Sequence, residues 1–148
     1  MTKEYHYHLE LRWRNLSKTT YQITSPKTQE YNCFAWAAGE NDRHWEHDPP
    51  DYYYWPENVP NEATLDAYIQ AYQTIGYQPC DSEKLESNYE KIAIYVDNDK
   101  IPTHAARQLP NGKWTSKLGW LEDIEHELEG LEGDKYGTVT QILKRFKP

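Results

Sequence analysis

At 148 residues with a formal net charge of −8, the chain has the length of one compact domain and lacks the basic footprint that nucleic acid or an anionic membrane surface requires. Its 6 Trp and 13 Tyr exclude the aromatic-poor composition of a disordered chain and point to an aromatic core. Cys33 and Cys80 match neither a redox Cys-x-x-Cys pair nor a zinc ligand set. Without an apolar leader or a run of membrane-spanning length, the expectation is a cytoplasmic protein with free thiols, no metal and no cofactor.

In chain order, Tyr5, Tyr7, Leu9, Leu11 and Trp13 alternate with His6, His8, Glu10, Arg12 and Arg14. This period of two predicts a half-buried strand. His6 and His8 share its polar face, but two histidines without a third ligand do not make a metal site. Residues 20–30, with Ser25-Pro26, read as a connector. Residues 1–22 are thus an N-terminal strand and connector, and 23–148 the core of a single domain spanning 1–148.

Tyr31-Asn32-Cys33-Phe34-Ala35-Trp36-Ala37-Ala38-Gly39 predicts a short helix with Cys33 on its first turn and Gly39 as its cap. Unpaired N–H groups and the helix dipole favour a thiolate at that position, which makes Cys33 a candidate nucleophile. Residues 41–56 follow as a long loop rich in proline, tryptophan and tyrosine. His44, His47 and Asp48 within it lack the spacing of a zinc-binding helix, and the prolines forbid one. Trp45, Tyr54 and Trp55 from this loop, with Asn32 and Trp36 beside the cysteine, are the candidate substrate-binding residues. A helix is predicted from Asn61 to Ile75, with Asn61 as N-cap and Gly76 as its stop.

Lys91 to Asp97 reads as a central strand, and His104–Leu109 with Trp114–Leu118 as a hairpin turning at Asn111-Gly112. Together they predict a three-stranded antiparallel meander. A two-residue turn pairs Leu109 with Trp114 and puts His104, Ala106, Gln108, Thr115 and Lys117 on one face. His104 is then a candidate general base, with Gln108 or Thr115 to orient its ring. A slipped register brings Ser116 or Asp97 to it instead. Leu121, Ile124, Leu128 and Leu131, then Val139, Ile142, Leu143 and Phe146, recur at helical spacing and predict two final helices.

The segments Tyr31–Gly39, Tyr54-Trp55-Pro56, Gly76–Cys80, Lys91–Tyr95, Thr103–Leu109 and Trp114–Gly119, with Ile124-Glu125-His126, resemble an uncharacterised family of small bacterial proteins, a domain of unknown function, over Ile23 to Phe146. More loosely, a Cys-headed helix followed by a His-bearing strand resembles the papain-like cysteine hydrolases of the CHAP and NlpC type. That resemblance implies an α+β, papain-like fold in which the Cys-bearing helix packs on a small antiparallel meander sheet with flanking helices. It also implies a peptidase or amidase in which Cys33 attacks a peptide or amide substrate and His104 moves the proton. The alternative expectation is a non-catalytic module that binds a protein or peptide partner through the aromatic loop 45–55, where clustered Trp and Tyr suit an interface hot spot.

Overall fold

The computed structural model describes residues 6–47 and 53–147. Tyr5 of the predicted first strand, and Asp48 within the aromatic loop, lie outside them. The frame is one seven-stranded antiparallel sheet in the order β1-β6-β5-β4-β3-β7-β2. Its strands are β1 (Tyr21–Ser25), β2 (Gln78–Cys80), β3 (Tyr89–Val96), β4 (Pro102–Gln108), β5 (Trp114–Lys117), β6 (Asp123–His126) and β7 (Thr138–Phe146). The expected papain-like α+β fold, with its small meander and flanking helices, is therefore corrected: strands dominate, and the helices are few and short.

Both faces of the sheet are covered. On one, α2 (Cys33–Ala37), α3 (Leu65–Gln73) and the loop around Trp45 pack over Ile92, Ile94, Val96, Ala105 and Leu143. On the other, α1 (Tyr7–Glu10), the 3-10 turns Arg14–Lys18 and Leu128–Leu131, and Tyr136 pack over Ala93, Tyr95, Ala106, Trp114, Ile124 and Ile142. Alternation along β3 and β4 assigns successive residues to opposite layers. Ala105 therefore belongs to the first layer and its neighbours His104 and Ala106 to the second.

The N-terminal segment is helical where a strand was predicted. Leu9, Trp13 and Leu16, spaced i, i+4, i+7, are the buried residues, while Tyr7 and Leu11 are 72% and 70% exposed. Leu9 and Trp13 satisfy both periods, Leu16 only the helical one, and burial against the sheet selects the helical period. The two C-terminal helices are corrected too: Leu121–Leu131 spans β6 and a 3-10 turn, and Val139–Phe146 is the inner strand β7. A bulge shifts the β3–β7 register between Ile94↔Gln141 and Tyr95↔Val139. That extra residue brings Val139 and Ile142 onto one face while Leu143 faces the other, which mimics helical spacing.

The predicted helix after Asn61 exists but starts later. Thr64 is its cap, accepting from the Ala67 N–H at 3.2 Å, and Gly76 at φ +99 lies beyond its end.

The hairpin differs by one residue from the predicted register. Gln108 pairs with Trp114 and Arg107 with Thr115. The Leu109 N–H bonds the Lys113 carbonyl at 2.7 Å, and Gly112 sits at φ +87 in a three-residue loop. The slip reverses every side chain of β5 relative to β4.

Candidate functional site

Asn32 organises the Cys33 segment. Its Oδ1 accepts from the N–H groups of Ala35 and Trp45, both at 3.0 Å, and its Nδ2–H donates to the Trp45 carbonyl at 2.6 Å. It both caps α2 and clamps the aromatic loop, so the loop is fastened to the helix by its backbone. Trp45 is 1% exposed, stacks on Tyr72 and donates its indole N–H to Glu40 at 3.0 Å. Trp36 stacks on Tyr31 and donates to the Thr115 hydroxyl at 3.0 Å. Tyr54 lies under the Arg43 guanidinium at 3.7 Å, and Trp55 packs against Tyr68 and donates to the Pro60 carbonyl at 3.3 Å. Of the five candidate binding residues, Asn32, Trp36, Tyr54 and Trp55 keep some exposure, but each is engaged in holding the loop or helix in place.

The four candidate catalytic residues divide between the two layers. Cys33 and Thr115 face the α2 side; His104 and Gln108 face the α1 side. The sheet itself stands between Cys33 and His104. Burial pushes the Cys33 thiol up to about 12, with a backbone hydrogen bond from Ala105 acting the other way. The first turn of a five-residue helix does not offset that desolvation. At neutral pH this is a protonated core thiol. Gln108 donates to the Glu83 carbonyl at 2.8 Å, and Asp97 accepts from the N–H groups of Asp99 and Ile101 in the β3–β4 turn.

Ser116 is what His104 meets. His104 Nε2 lies 2.8 Å from Ser116 Oγ, which lies 2.6 Å from His126 Nε2, and His126 Nδ1 lies 2.8 Å from the Glu127 carbonyl. The carbonyl only accepts, so His126 carries its proton on Nδ1 and accepts at Nε2. Ser116 must then donate to His126 and accept from His104 Nε2–H, which leaves His104 Nδ1 as an acceptor without a donor among the described residues. The chain is directional, neutral and wholly buried. The His104 ring stacks on Tyr136 with centroids 4.1 Å apart.

Burial lowers the pKa of His104 well below the ordinary imidazole value, with His126 adding to the effect, and burial lowers that of His126 to about 4. Both are depressed relative to the unfolded chain, at about 6.5, so the unfolded state takes up protons first as pH falls. The stabilisation is complete above pH 6.5 and is lost progressively towards pH 4. Chemical denaturation between pH 6.5 and 5, above the main carboxylate range, is expected to show stability falling for each histidine by about 0.7 kcal/mol per pH unit at pH 6.5, steepening to about 1.4 near pH 5. His126→Gln halves that slope; a flat profile in wild type contradicts the assignment.

A second polar cluster lies on the α2 side. Lys117 and Asp123 are cross-strand partners and both fully buried. Tyr31 donates to Asp123 at 2.5 Å, and the Lys117 ammonium donates to the Leu121 carbonyl and sits 5.4 Å over the Tyr31 ring. Burial raises the Asp123 pKa, against Tyr31 and Lys117, and lowers that of Lys117, against Asp123 and Glu122. Opposite shifts of this kind mark a pair that is desolvated together. The cluster ties α2 to the β5–β6 edge.

The accessible chemistry lies elsewhere, at the α1 end. Two adjoining clefts of about 610 and 360 Å3 share Arg12, Trp13 and Lys135. Trp120, 67% exposed, stands at the rim of the smaller, and Leu11, 70% exposed, at the rim of the larger. The larger is lined by four cationic residues, Arg12, Arg14, Lys18 and Lys135, against Glu132 and Asp134. Between the two, Trp13 is 3% exposed and its indole N–H has no hydrogen-bond partner among the described residues. The Lys135 ammonium lies 5.7 Å from the Trp13 ring.

Alternation places Arg12 and Trp13 on a strand, and Trp120 belongs to none of the predicted apolar faces, so the sequence alone does not bring these residues together. The one local signal was a tryptophan directly after Gly119, outside every apolar period.

Among the described residues no group of three or more His, Cys, Asp or Glu is placed to hold a metal, and no helix is long and apolar enough to cross a membrane. No curated protein and no solved structure matches the chain, and the looser likeness to CHAP and NlpC hydrolases finds no support in the fold. A family model matches residues 22–144, from β1 through most of β7, which takes in the Cys33 helix, the hairpin and the polar chain but leaves α1 outside it. On that match, the chain belongs to the family described as domain of unknown function DUF7689.

Proposed function

We propose that this protein is a non-catalytic protein-binding module whose contact surface is the basic and aromatic cleft at the α1 end. Trp45, Tyr54 and Trp55 serve instead to cover the core, since Trp45 is 1% exposed and the other two pack against the same cluster. The observation that carries the reading is Trp120 standing 67% exposed at the rim of a cleft that holds Arg12 and Lys135 and adjoins one with two further cations, on a chain of net charge −8. Large exposed aromatics flanked by arginine are the usual anchors of protein interfaces. The partner that fits is an acidic segment with an apolar side chain to lie on Trp120 and Leu11. A cysteine hydrolase built on Cys33 and His104 would need the two on one face of the sheet, and their placement does not support it.

A fluorescein-labelled peptide alternating Glu or Asp with Leu and Phe provides the test by anisotropy. Saturable binding that weakens with salt is expected. Trp120→Ala should weaken it by about 10-fold or more, and Arg12→Glu with Lys135→Glu should abolish it. Equal affinity in wild type and the charge-reversed variant, or no binding at low salt, contradicts the proposal.

A further inference from the structure

The seven-stranded sheet has two edges, and they are built differently. At one, β2 is three residues long with Pro79 at its centre, a form of edge that resists further pairing. At the other, β1 lies within a run, residues 19–25, that carries no charge and no proline. Thr19, Thr20, Tyr21, Ile23 and Thr24 in that run all favour an extended backbone. Among the described residues β1 pairs with β6 alone, and no other backbone hydrogen bond reaches residues 22–25. Every open antiparallel sheet ends in such a row of donors and acceptors, so the edge by itself names no partner.

The surroundings of β1 supply one. A cleft of about 820 Å3 is lined by residues 23–27 together with His8, Arg12, Leu121 and Glu122. Glu122 is already engaged, with His8 Nε2 3.0 Å from its Oε2. Arg12 and Lys27 are exposed; Arg12 uses one donor on the His8 carbonyl at 2.5 Å, and Lys27 makes no hydrogen bond or ion pair among the described residues. The cleft therefore keeps two cations to offer, beside the half-buried apolar side chains of Ile23 and Leu121. Arg12 also lines both clefts of the basic surface, and Leu121 the smaller of them, so the strand edge and that surface are continuous. The bulge between Ile23 and Ser25, with Pro26 after it, ends regular pairing at Thr24. A strand added beside the residues before Thr24 would leave the edge there and pass into the cleft.

Resting on the function proposed above, we infer that the acidic partner segment binds as an eighth strand on the outer edge of β1. Its apolar side chains lie beside Ile23, and a carboxylate beyond the strand end meets Arg12 and Lys27. Backbone pairing then contributes affinity, and the cleft selects the side chains.

The test uses the fluorescein-labelled acidic peptide in a set that carries one backbone N-methyl group at each successive position. Each member is titrated into the full chain by anisotropy, and exchange of the β1 amides is followed by NMR with the unmodified peptide. An N-methyl group removes one donor and blocks pairing only where that N–H faces β1. The expected pattern has a period of two, with losses of about 10-fold or more at alternate positions and little change at those between. The outward amides of β1 should exchange more slowly on binding, and those of β2 should not change. Lys27→Glu, at an exposed position, should weaken binding by about 5-fold. Binding whose losses do not alternate, without slowed exchange in β1, overturns the added strand and leaves the basic cleft standing. No binding of the unmodified peptide overturns both. Outward β1 amides that are slow in the free protein and quicken on dilution identify a second copy of this chain as the occupant of the edge, which also overturns the inference.

Discussion

Replacing Gly137 by alanine is expected to cost about 3 kcal/mol or more, read as a lowered urea midpoint with an unchanged m-value. Gly137 sits at φ +77, where a side chain is strained, and a Cβ there would drive into the Val96 carbonyl and the Asp97 backbone. Backbone cannot swing aside as the tip of a lysine can. The residue also closes a tight loop with Gly133, through paired backbone hydrogen bonds of 2.9 and 2.8 Å, that places Tyr136 on the His104 ring. Thr103 holds the same loop by donating to the Tyr136 carbonyl at 2.5 Å. Displacing it disturbs the polar chain below and the Trp13–Tyr136 contact beside the basic cleft, so weaker binding of the acidic peptide should accompany the lost stability. Gly39→Ala is the control: Gly39 has φ +87 but nothing within 4 Å of a Cβ, so only the backbone term of about 1 kcal/mol applies. Equal midpoints for the two variants would mean that the close approach at Val96 is not a constraint.

Particular residues explain how far the sequence was legible. The β3 strand, the Cys33 helix and the α3 helix were found because each is bounded by its own caps and turn residues. The expectation of an uncharacterised family over Ile23 to Phe146 is consistent with the family model spanning 22–144. What failed did so where one pattern satisfied two periods. Leu9 and Trp13 belong to an alternating run and also, with Leu16 beyond it, to a helical face, and Val139, Ile142 and Leu143 look helical because a bulge and a sheet covered on both sides remove alternation.

The site turned on a single residue of register. A two-residue turn at Asn111-Gly112 puts Thr115 beside His104; the three-residue loop puts Ser116 there and sends Thr115 to Trp36. Local turn signals locate a hairpin but do not fix its register, which the facing layers decide. Which layer Cys33 joins is likewise invisible locally, since it depends on how α2 docks over Ala105. The buried donor on Trp13 had no sequence signature at all, because an absent partner is a property of the assembled fold.

The central claim is that Cys33 and His104 occupy opposite layers of one sheet, so that Cys33 is a protonated core thiol. Iodoacetamide labelling of the native protein from pH 6 to 9, resolved by mass spectrometry with Cys80 as internal reference, tests it most directly. Cys80 is half-buried at the edge strand β2. A thiol pushed up to about 12 holds about a thousand-fold less thiolate at neutral pH than a free cysteine, before its shielding from the reagent is counted. The account predicts that Cys33 reacts at least about a thousand-fold more slowly than in urea, with no inflection near neutrality and with Cys80 labelled first. Rapid labelling of Cys33 ahead of Cys80, with an inflection below pH 7 that His104→Ala removes, would contradict it.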